Sequence, residues 1–448
     1  MELEFITTIY ENEEAVTVKR RHPFTEDTGK VEKEIINLYP ETAFQTIYGF
    51  GGALTESSGY VFSKIDPQAQ NDILDAYYGQ DGLGYTMART HIDSCDFSVG
   101  HYAAVEDSND TELATFSLER AQKYVLPLIA RANEAAGKPL VMMLTPWSPP
   151  AFMKTNGERD HGGYLLEEYY PLWAKYICRY IQEYRARGIN VQLLSVQNEP
   201  NATQTWDSCL FTAAQEREFI RGHLAPELHR AGLSDISLLI WDHNKERAFD
   251  RACDVISDSE MDSLVGGVAV HWYSGDHFEA LQLIRQTFPE KRIVFSEACV
   301  EYLVLTEQNQ LANAQMYGHE IIGNLNNGLD TFLDWNIILD QNGGPNHVSN
   351  YCDAPIMCDL QTGKWRKNLS YHYIGHFSKY IKPQAVHIGH SRFTQALEVT
   401  AVKNPDGSLC VVVMNPQDMD IPFTLRVKGQ LCPLTAQPHS INTCLINE

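Results

Sequence analysis

Two glutamates close short apolar runs of strand character: Glu199 in Val196-Gln197-Asn198-Glu199-Pro200 and Glu297 in Val294-Phe295-Ser296-Glu297-Ala298-Cys299. A carboxyl pair flanking a glycosidic bond is the least apparatus that hydrolyses it, one group giving a proton to the leaving oxygen and the other attacking or activating water. The two need different surroundings. The acid must stay protonated, with a pKa lifted to roughly 6, while its partner stays ionised. A retaining enzyme holds the pair about 5 Å apart and an inverting one farther. Separation along the chain leaves that distance open.

Both side chains reach one substrate only if their strands belong to one closed sheet. The middle of the chain alternates apolar strand-like runs with amphipathic helical patterns, as a parallel α/β protein does. The runs are Tyr48 to Thr55, Thr86 to Ile92, Pro139 to Trp147, Val191 to Glu199, Ser237 to His243, Gly267 to Tyr273, Arg292 to Glu297 and Thr331 to Ile337. They predict a (β/α)8 TIM barrel over residues 46–379. Asp66-Pro67 reads as the N-cap and first residue of a helix that Gly79 closes. After Pro171, the residues Trp173, Ile177, Tyr180, Ile181 and Tyr184 recur at helical spacing, so they are expected to pack against the barrel, with Gly188 as the stop.

Both ends of the chain change to short alternating strands. Leu397 to Lys403 and Ser408 to Asn415 flank Asn404-Pro405-Asp406-Gly407, a hairpin turn sequence. Phe423 to Val427 continues the alternation, and Leu3 to Thr17 is expected to pair with these C-terminal segments. Residues 1–45 plus 380–448 are therefore expected to form a β-sandwich beside the barrel.

The 448 residues are 44% apolar and carry a formal charge of -23, from 35 Lys+Arg against 58 Asp+Glu. Phosphate backbones and anionic membrane surfaces are held by basic patches, so nucleic acid is not expected as a partner and a neutral substrate fits better. Met1-Glu2-Leu3-Glu4-Phe5-Ile6 lacks a basic n-region, and no run is long enough to cross a bilayer. The expectation is a cytoplasmic protein without stable membrane insertion. Its ten cysteines are scattered without C-x-x-C spacing and read as free thiols.

Barrel active sites lie at the C-terminal strand ends. Those ends read Arg89-Thr90-His91, Thr145-Pro146-Trp147, Asn198-Glu199, Trp241-Asp242-His243, His271-Trp272-Tyr273, Glu297 and Asp334-Trp335-Asn336. Aromatic faces beside hydrogen-bonding groups describe a sugar site. Plainer readings exist: Arg89 and Asp96 paired with each other, or His271 as a satisfied core histidine. His91, His243 and His271 show no H-E-x-x-H spacing, so neither a metal nor another cofactor is expected.

The blocks Gly49-Phe50-Gly51-Gly52-Ala53-Leu54-Thr55-Glu56, Ser94-Cys95-Asp96-Phe97-Ser98, Thr145 to Pro150, Lys154 to Gly157, Asn198-Glu199-Pro200, Val270 to Tyr273, Ser296 to Cys299, Asp334-Trp335-Asn336, Gly343 to Asn346 and Gly375 to Tyr380 together resemble glycoside hydrolase family 30, in its glucosylceramidase-type branch. The resemblance runs in order over nearly the whole chain. It implies a retaining double displacement on β-linked sugars, with Glu199 as general acid/base and Glu297 as the nucleophile. It further implies that Asn198 bonds the sugar 2-hydroxyl, that Asp96, Trp147, Trp335 and Asn350 line the glycone subsite, and that Arg89, His271 and Tyr273 orient or neutralise the nucleophile.

Departures from the family pattern bear on the substrate. The segment Pro200 to Asp207 is shorter than in the lysosomal branch, with Trp206 as an aglycone platform, and His347 takes the place of a rim tryptophan. These changes turn the expectation from a lipid to a small-molecule or short-oligosaccharide β-glycoside, cleaved by an exo-acting β-glucosidase. The enzymatic alternatives are β-xylosidase, β-1,6-glucanase and transglycosylation. A catalytically silent carbohydrate-binding protein is the alternative of another class.

Overall fold

The computed structural model describes residues 1–302 and 309–447 and closes eight parallel strands into a barrel. These are β1 (Gly49–Ala53), β2 (Met87–Ile92), β3 (Val141–Pro146), β4 (Asn190–Ser195), β5 (Ser237–Asn244), β6 (Val265–His271), β7 (Arg292–Glu297) and β8 (Thr331–Asn336). Each pairs with its neighbour in sequence, and β8 returns to β1 with Leu333 opposite Gly51. Met87, Met143, Leu193, Leu239, Ala269, Val294 and Leu333 fill the barrel interior. A Cβ on Gly51 would lie 2.0 Å from the Met87 carbonyl oxygen and 2.9 Å from Leu333 Cδ2, so the run of glycines in β1 is what lets the strands close.

Every expected run contains a strand, but the fourth ends sooner than expected. Its regular pairing stops at Ser195, and the next four residues leave the ladder. They are still pinned on both sides: Asn198 N–H donates to the Pro146 carbonyl at 2.9 Å, and Glu199 N–H to the Asp242 carbonyl at 2.9 Å. The residue that matters most is thus held between β3 and β5, beyond the strand that delivers it.

Local punctuation behaves as its chemistry requires. The Asp66 carboxylate accepts from Gln68 N–H and Ala69 N–H at the start of the helix Pro67–Tyr78. In the helix Tyr170–Ala186 the aromatic stripe is buried, and the Tyr176 hydroxyl donates to Asp93. Gly188 ends the segment at φ +78°, which glycine adopts without strain.

The terminal segments form one hydrogen-bonded sheet of ten strands. Glu2–Glu11 pairs with Glu14–Pro23 on one side and with the last strand, Ser440–Asn447, on the other. The predicted hairpin joins Glu398–Lys403 to Leu409–Asn415, which pair antiparallel. The sheet folds across itself into a sandwich. Phe5 and Phe423, far apart in strand order, meet edge to face at 6.4 Å within a core that includes Leu38, Val411 and Leu425.

One feature lay beyond sequence patterning. Ile338–Asp340, Ile356–Asp359 and Lys364–Lys367 make a small three-stranded sheet after β8. Strands of three or four residues are too short for alternation to register. The sheet holds the base of the loop that carries Asn350 and Cys352.

The helix Leu369–Ser378 joins the two domains through His376. Thr443 donates its hydroxyl proton to the His376 carbonyl, so ring Nδ1–H donates to Thr443 Oγ1 and Nε2 accepts from Thr8 Oγ1, both at 2.8 Å. Burial holds this imidazole neutral, with a pKa down at about 3. Between pH 6.5 and 3 the unfolded chain binds a proton that the folded chain refuses, so stability should fall as the pH drops through that window, by up to about 1.4 kcal/mol per pH unit from this group. Urea midpoints at pH 7 and pH 4.5 should show a smaller acid loss for His376→Gln than for the parent chain. An unchanged difference would remove His376 from the account.

Candidate active site

The C-terminal mouth of the barrel holds a cavity of about 170 Å³ lined by Asp96, Trp147, Asn198, Glu199, Trp206, Tyr273, Glu297, Trp335 and Asn350. The volume is below the roughly 300–1,000 Å³ of sites for drug-sized ligands, and it suits a single ring. A larger cavity of about 640 Å³ lies at the opposite end of the barrel, beside Ser237 and Gly266. It contains neither Glu199 nor Glu297, and that barrel face serves stability rather than chemistry.

Beneath the pocket floor Arg89 is fully buried. Its Nη1 donates to Glu297 Oε2 at 2.6 Å, its Nη2 to Asn198 Oδ1 and Asp242 Oδ2 at 2.9 Å each, and its Nε to Thr145 Oγ1 at 3.2 Å. The guanidinium also lies 4.7 Å from the Trp147 ring, which stacks on Trp335 with centroids 5.3 Å apart. One side chain therefore orders the carboxylate, the amide and the aromatic wall together. The possible pairing of Arg89 with Asp96 does not occur. Asp96 instead accepts from Asn346 and Asn350, each at 3.4 Å.

The two glutamates sit in different fields. Glu297 accepts from Arg89 on Oε2 and from the Tyr273 hydroxyl on Oε1 at 2.9 Å, a setting that fixes the orientation of its carboxyl group. Glu199 Oε1 faces His271 Nδ1 at 3.4 Å and His243 Nε2 at 3.9 Å. His271 therefore touches the other glutamate from the one expected. Its second ring nitrogen, Nε2, lies 3.1 Å from Asp242 Oδ1.

The proton also sits elsewhere than expected. Burial works to raise the Glu199 carboxyl, but the hydrogen-bonding and charge of His271 and the charge of His243 outweigh it and bring the pKa below the ordinary value. Burial works to lower His271, but the carboxylates of Glu297, Asp242 and Glu199 lift it to about 9. At neutral pH the proton of this pair resides on the imidazole. Two groups that interact this strongly titrate as a unit.

Sequence reasoning missed Asp242 as a site residue, although it stands at a strand end. It accepts from Arg89, from His271 and from Ser296 Oγ at 2.5 Å, and its carboxyl is driven far below the usual range because the Arg89 and His271 charges overcome its burial. Trp241, Asp242 and Glu199 have φ of 73°, 50° and 45°. Left-handed backbone at non-glycine residues is strained and concentrates at functional sites.

Glu301 also lines the pocket, as do Cys299 and Cys352. Burial and then the charges of Glu199 and Glu297 raise Glu301 to about 7. Nothing in the sequence singled out Glu301 or Cys352, because each enters from a loop beyond the strand ends. Alternation along β8 decides which of its end residues serve the pocket. Trp335 faces in, while Asp334 turns to the Tyr317 hydroxyl and Asn336 to Thr55.

The glycosyl hydrolase family 30 TIM-barrel domain model matches residues 47–381, and the family 30 β-sandwich domain model matches residues 384–444. The chain is 34% identical over 408 residues to the lysosomal acid glucosylceramidase of Mus musculus, covering 87% of this chain and 79% of that protein. It is 27% identical over 421 residues to an endo-1,6-beta-D-glucanase of Neurospora crassa, covering 89% and 84%. The crystal structure of SrfJ from Salmonella typhimurium superposes with a TM-score of 0.96 at 38% identity, covering 100% of both chains.

Proposed function

The chain belongs to glycosyl hydrolase family 30, and from that premise we propose that this glycoside hydrolase is a retaining, exo-acting β-glucosidase. The observation that carries the reading is the single small pocket shared by Glu199 and Glu297, with one glutamate clamped by Arg89 and Tyr273 and the other facing the His271 imidazole at 3.4 Å.

In this reading Glu297 attacks the anomeric carbon as the glycosidic bond breaks, and Glu199 protonates the departing oxygen. The proton reaches Glu199 from the His271 side when a bound glycoside buries the pair further and offers an acceptor for a carboxylic O–H. Glu199, now ionised, then takes a proton from water, which attacks the glycosyl-enzyme on the opposite face. Asn198, held by Arg89, is placed beside Glu199 to bond a sugar hydroxyl, and Trp147 and Trp335 supply apolar surface for the ring. The support for exo action is the small volume of the cavity, about 170 Å³, which is on the scale of one sugar ring. The similarity to the Neurospora crassa glucanase favours β-1,6-glucan cleavage as the second reading.

Product stereochemistry and a substrate screen test this reading. NMR of the first product before mutarotation should show the β anomer, whereas α would mean inversion and a wider carboxyl spacing. Among aryl β-D-glycosides that differ only in the sugar, the glucoside should be cleaved fastest. Faster release from a β-1,6-linked oligosaccharide interior would favour the second reading.

A further inference from the structure

The rim beside Asp96 carries a cluster that hydrolysis leaves unused. His101, Asp207 and His347 each direct one potential ligand atom into a common space, and these atoms lie within 4.8 Å of one another. His347 Nδ1 is 3.2 Å from the Ser98 carbonyl oxygen. A carbonyl only accepts, so Nδ1 bears the ring proton and Nε2 presents a lone pair. That Nε2 is buried without a hydrogen-bond partner, in a side chain 10% exposed, and faces Asp207 Oδ2 at 3.6 Å. That oxygen accepts from His101 Nδ1–H, which leaves the His347 Nε2 lone pair unmatched; a cation in place of the His101 proton would serve the carboxylate and both imidazoles.

The surroundings are those of a built site. His101 Nδ1 lies 3.1 Å from the same Asp207 Oδ2. A tetrahedral centre with metal–ligand distances of about 2.0–2.2 Å has ligand–ligand edges of about 3.3–3.6 Å. The His347–Asp207 separation of 3.6 Å falls at the upper end of that range, and the His101–Asp207 separation of 3.1 Å lies just below it. The other oxygen of Asp207 is engaged by Arg159 Nε and Ser94 Oγ, both at 2.7 Å, which orients the carboxylate with Oδ2 toward the histidines. Arg159 is shared with Asp93 at 3.6 Å, and Asp160 lies 3.6 Å from His101 Nε2. The His101 side chain is 40% exposed and leaves a path from solvent.

We infer that His101, Asp207 and His347 bind a divalent ion of the zinc class, with solvent as the fourth ligand. Two imidazoles and one carboxylate suit zinc, whereas calcium and magnesium take oxygen ligands. The ion ties together three segments at the pocket rim. His347 N–H also bonds the Asp96 carbonyl at 3.4 Å, so the brace extends to a pocket residue.

The test reads metal rather than turnover, so it stands or falls apart from the hydrolytic reading. The full chain, stripped with a chelator, is titrated with zinc chloride in a calorimeter beside His347→Ala, His101→Ala and His161→Ala, each checked for native circular dichroism. The parent chain should bind one zinc ion with a raised melting temperature, and both His347→Ala and His101→Ala should bind at least about tenfold more weakly. His161→Ala, in an exposed neighbouring group with Glu158 and Asp160, should bind like the parent, and calcium chloride should give no comparable heat. The inference is overturned if the parent chain binds no zinc, if calcium binds as well, or if weakening appears in His161→Ala and not in the other two.

Discussion

Glu297→Gln is expected to stop turnover of every β-glycoside, lowering kcat by about five orders of magnitude or more, the scale seen when a catalytic nucleophile is removed. The amide keeps the shape of the carboxylate but cannot form the glycosyl ester. The fold should survive. Arg89 retains Asp242, Asn198 and Thr145, and the amide oxygen can accept from Nη1 while its NH2 turns to the Tyr273 oxygen. Aryl glycosides with strongly activated leaving groups provide the most sensitive assay. Activity above about 1% with such a substrate, against that expected scale, would sink the assignment of Glu297 as nucleophile.

Glu199→Ala is expected to behave differently, because the loss depends on the leaving group. General acid catalysis contributes about 10²–10⁴-fold, so poor leaving groups should suffer across that range while acidic phenols depart with little help. Azide, small enough to occupy the emptied space, should restore part of the rate and yield a β-glycosyl azide. In the parent enzyme the His271–Glu199 pair must hold a proton. kcat/KM should therefore fall as the pH rises toward about 9, where His271, lifted by its carboxylate neighbours against its burial, gives that proton up. This alkaline limb should flatten in Glu199→Ala when leaving-group departure needs no acid. A loss indifferent to leaving-group acidity would count against Glu199 as the proton carrier.

Much of the site was legible because a parallel β/α chain announces its strand ends. Trp147, Glu297 and Trp335 lie at or just past the ends of β3, β7 and β8, where hydrophobic alternation gives way to polar residues, and Arg89 lies three residues before the end of β2. The partners were harder to read. His271 has Glu297 on the neighbouring strand, yet it contacts Glu199 and Asp242, because a histidine ring reaches sideways to whichever strand end curls toward it. Asp242 curls that way through a left-handed backbone that no residue pattern marks. Asn350 was legible only through family resemblance, since its loop is supported by strands too short to show a period.

By itself the sequence determined the barrel, the sandwich built from both termini, and the delivery of two carboxyls to one face, because periodicity and strand direction are local properties of the chain. The location of the proton was decided only by the tertiary structure. A pKa depends on burial and on charges a few ångströms away, whatever their distance along the chain. Arg89 and Tyr273 converge on Glu297, and His271 and His243 converge on Glu199, from segments as far as 208 positions apart. The same holds for His101, Asp207 and His347, which share a space only after three loops have met.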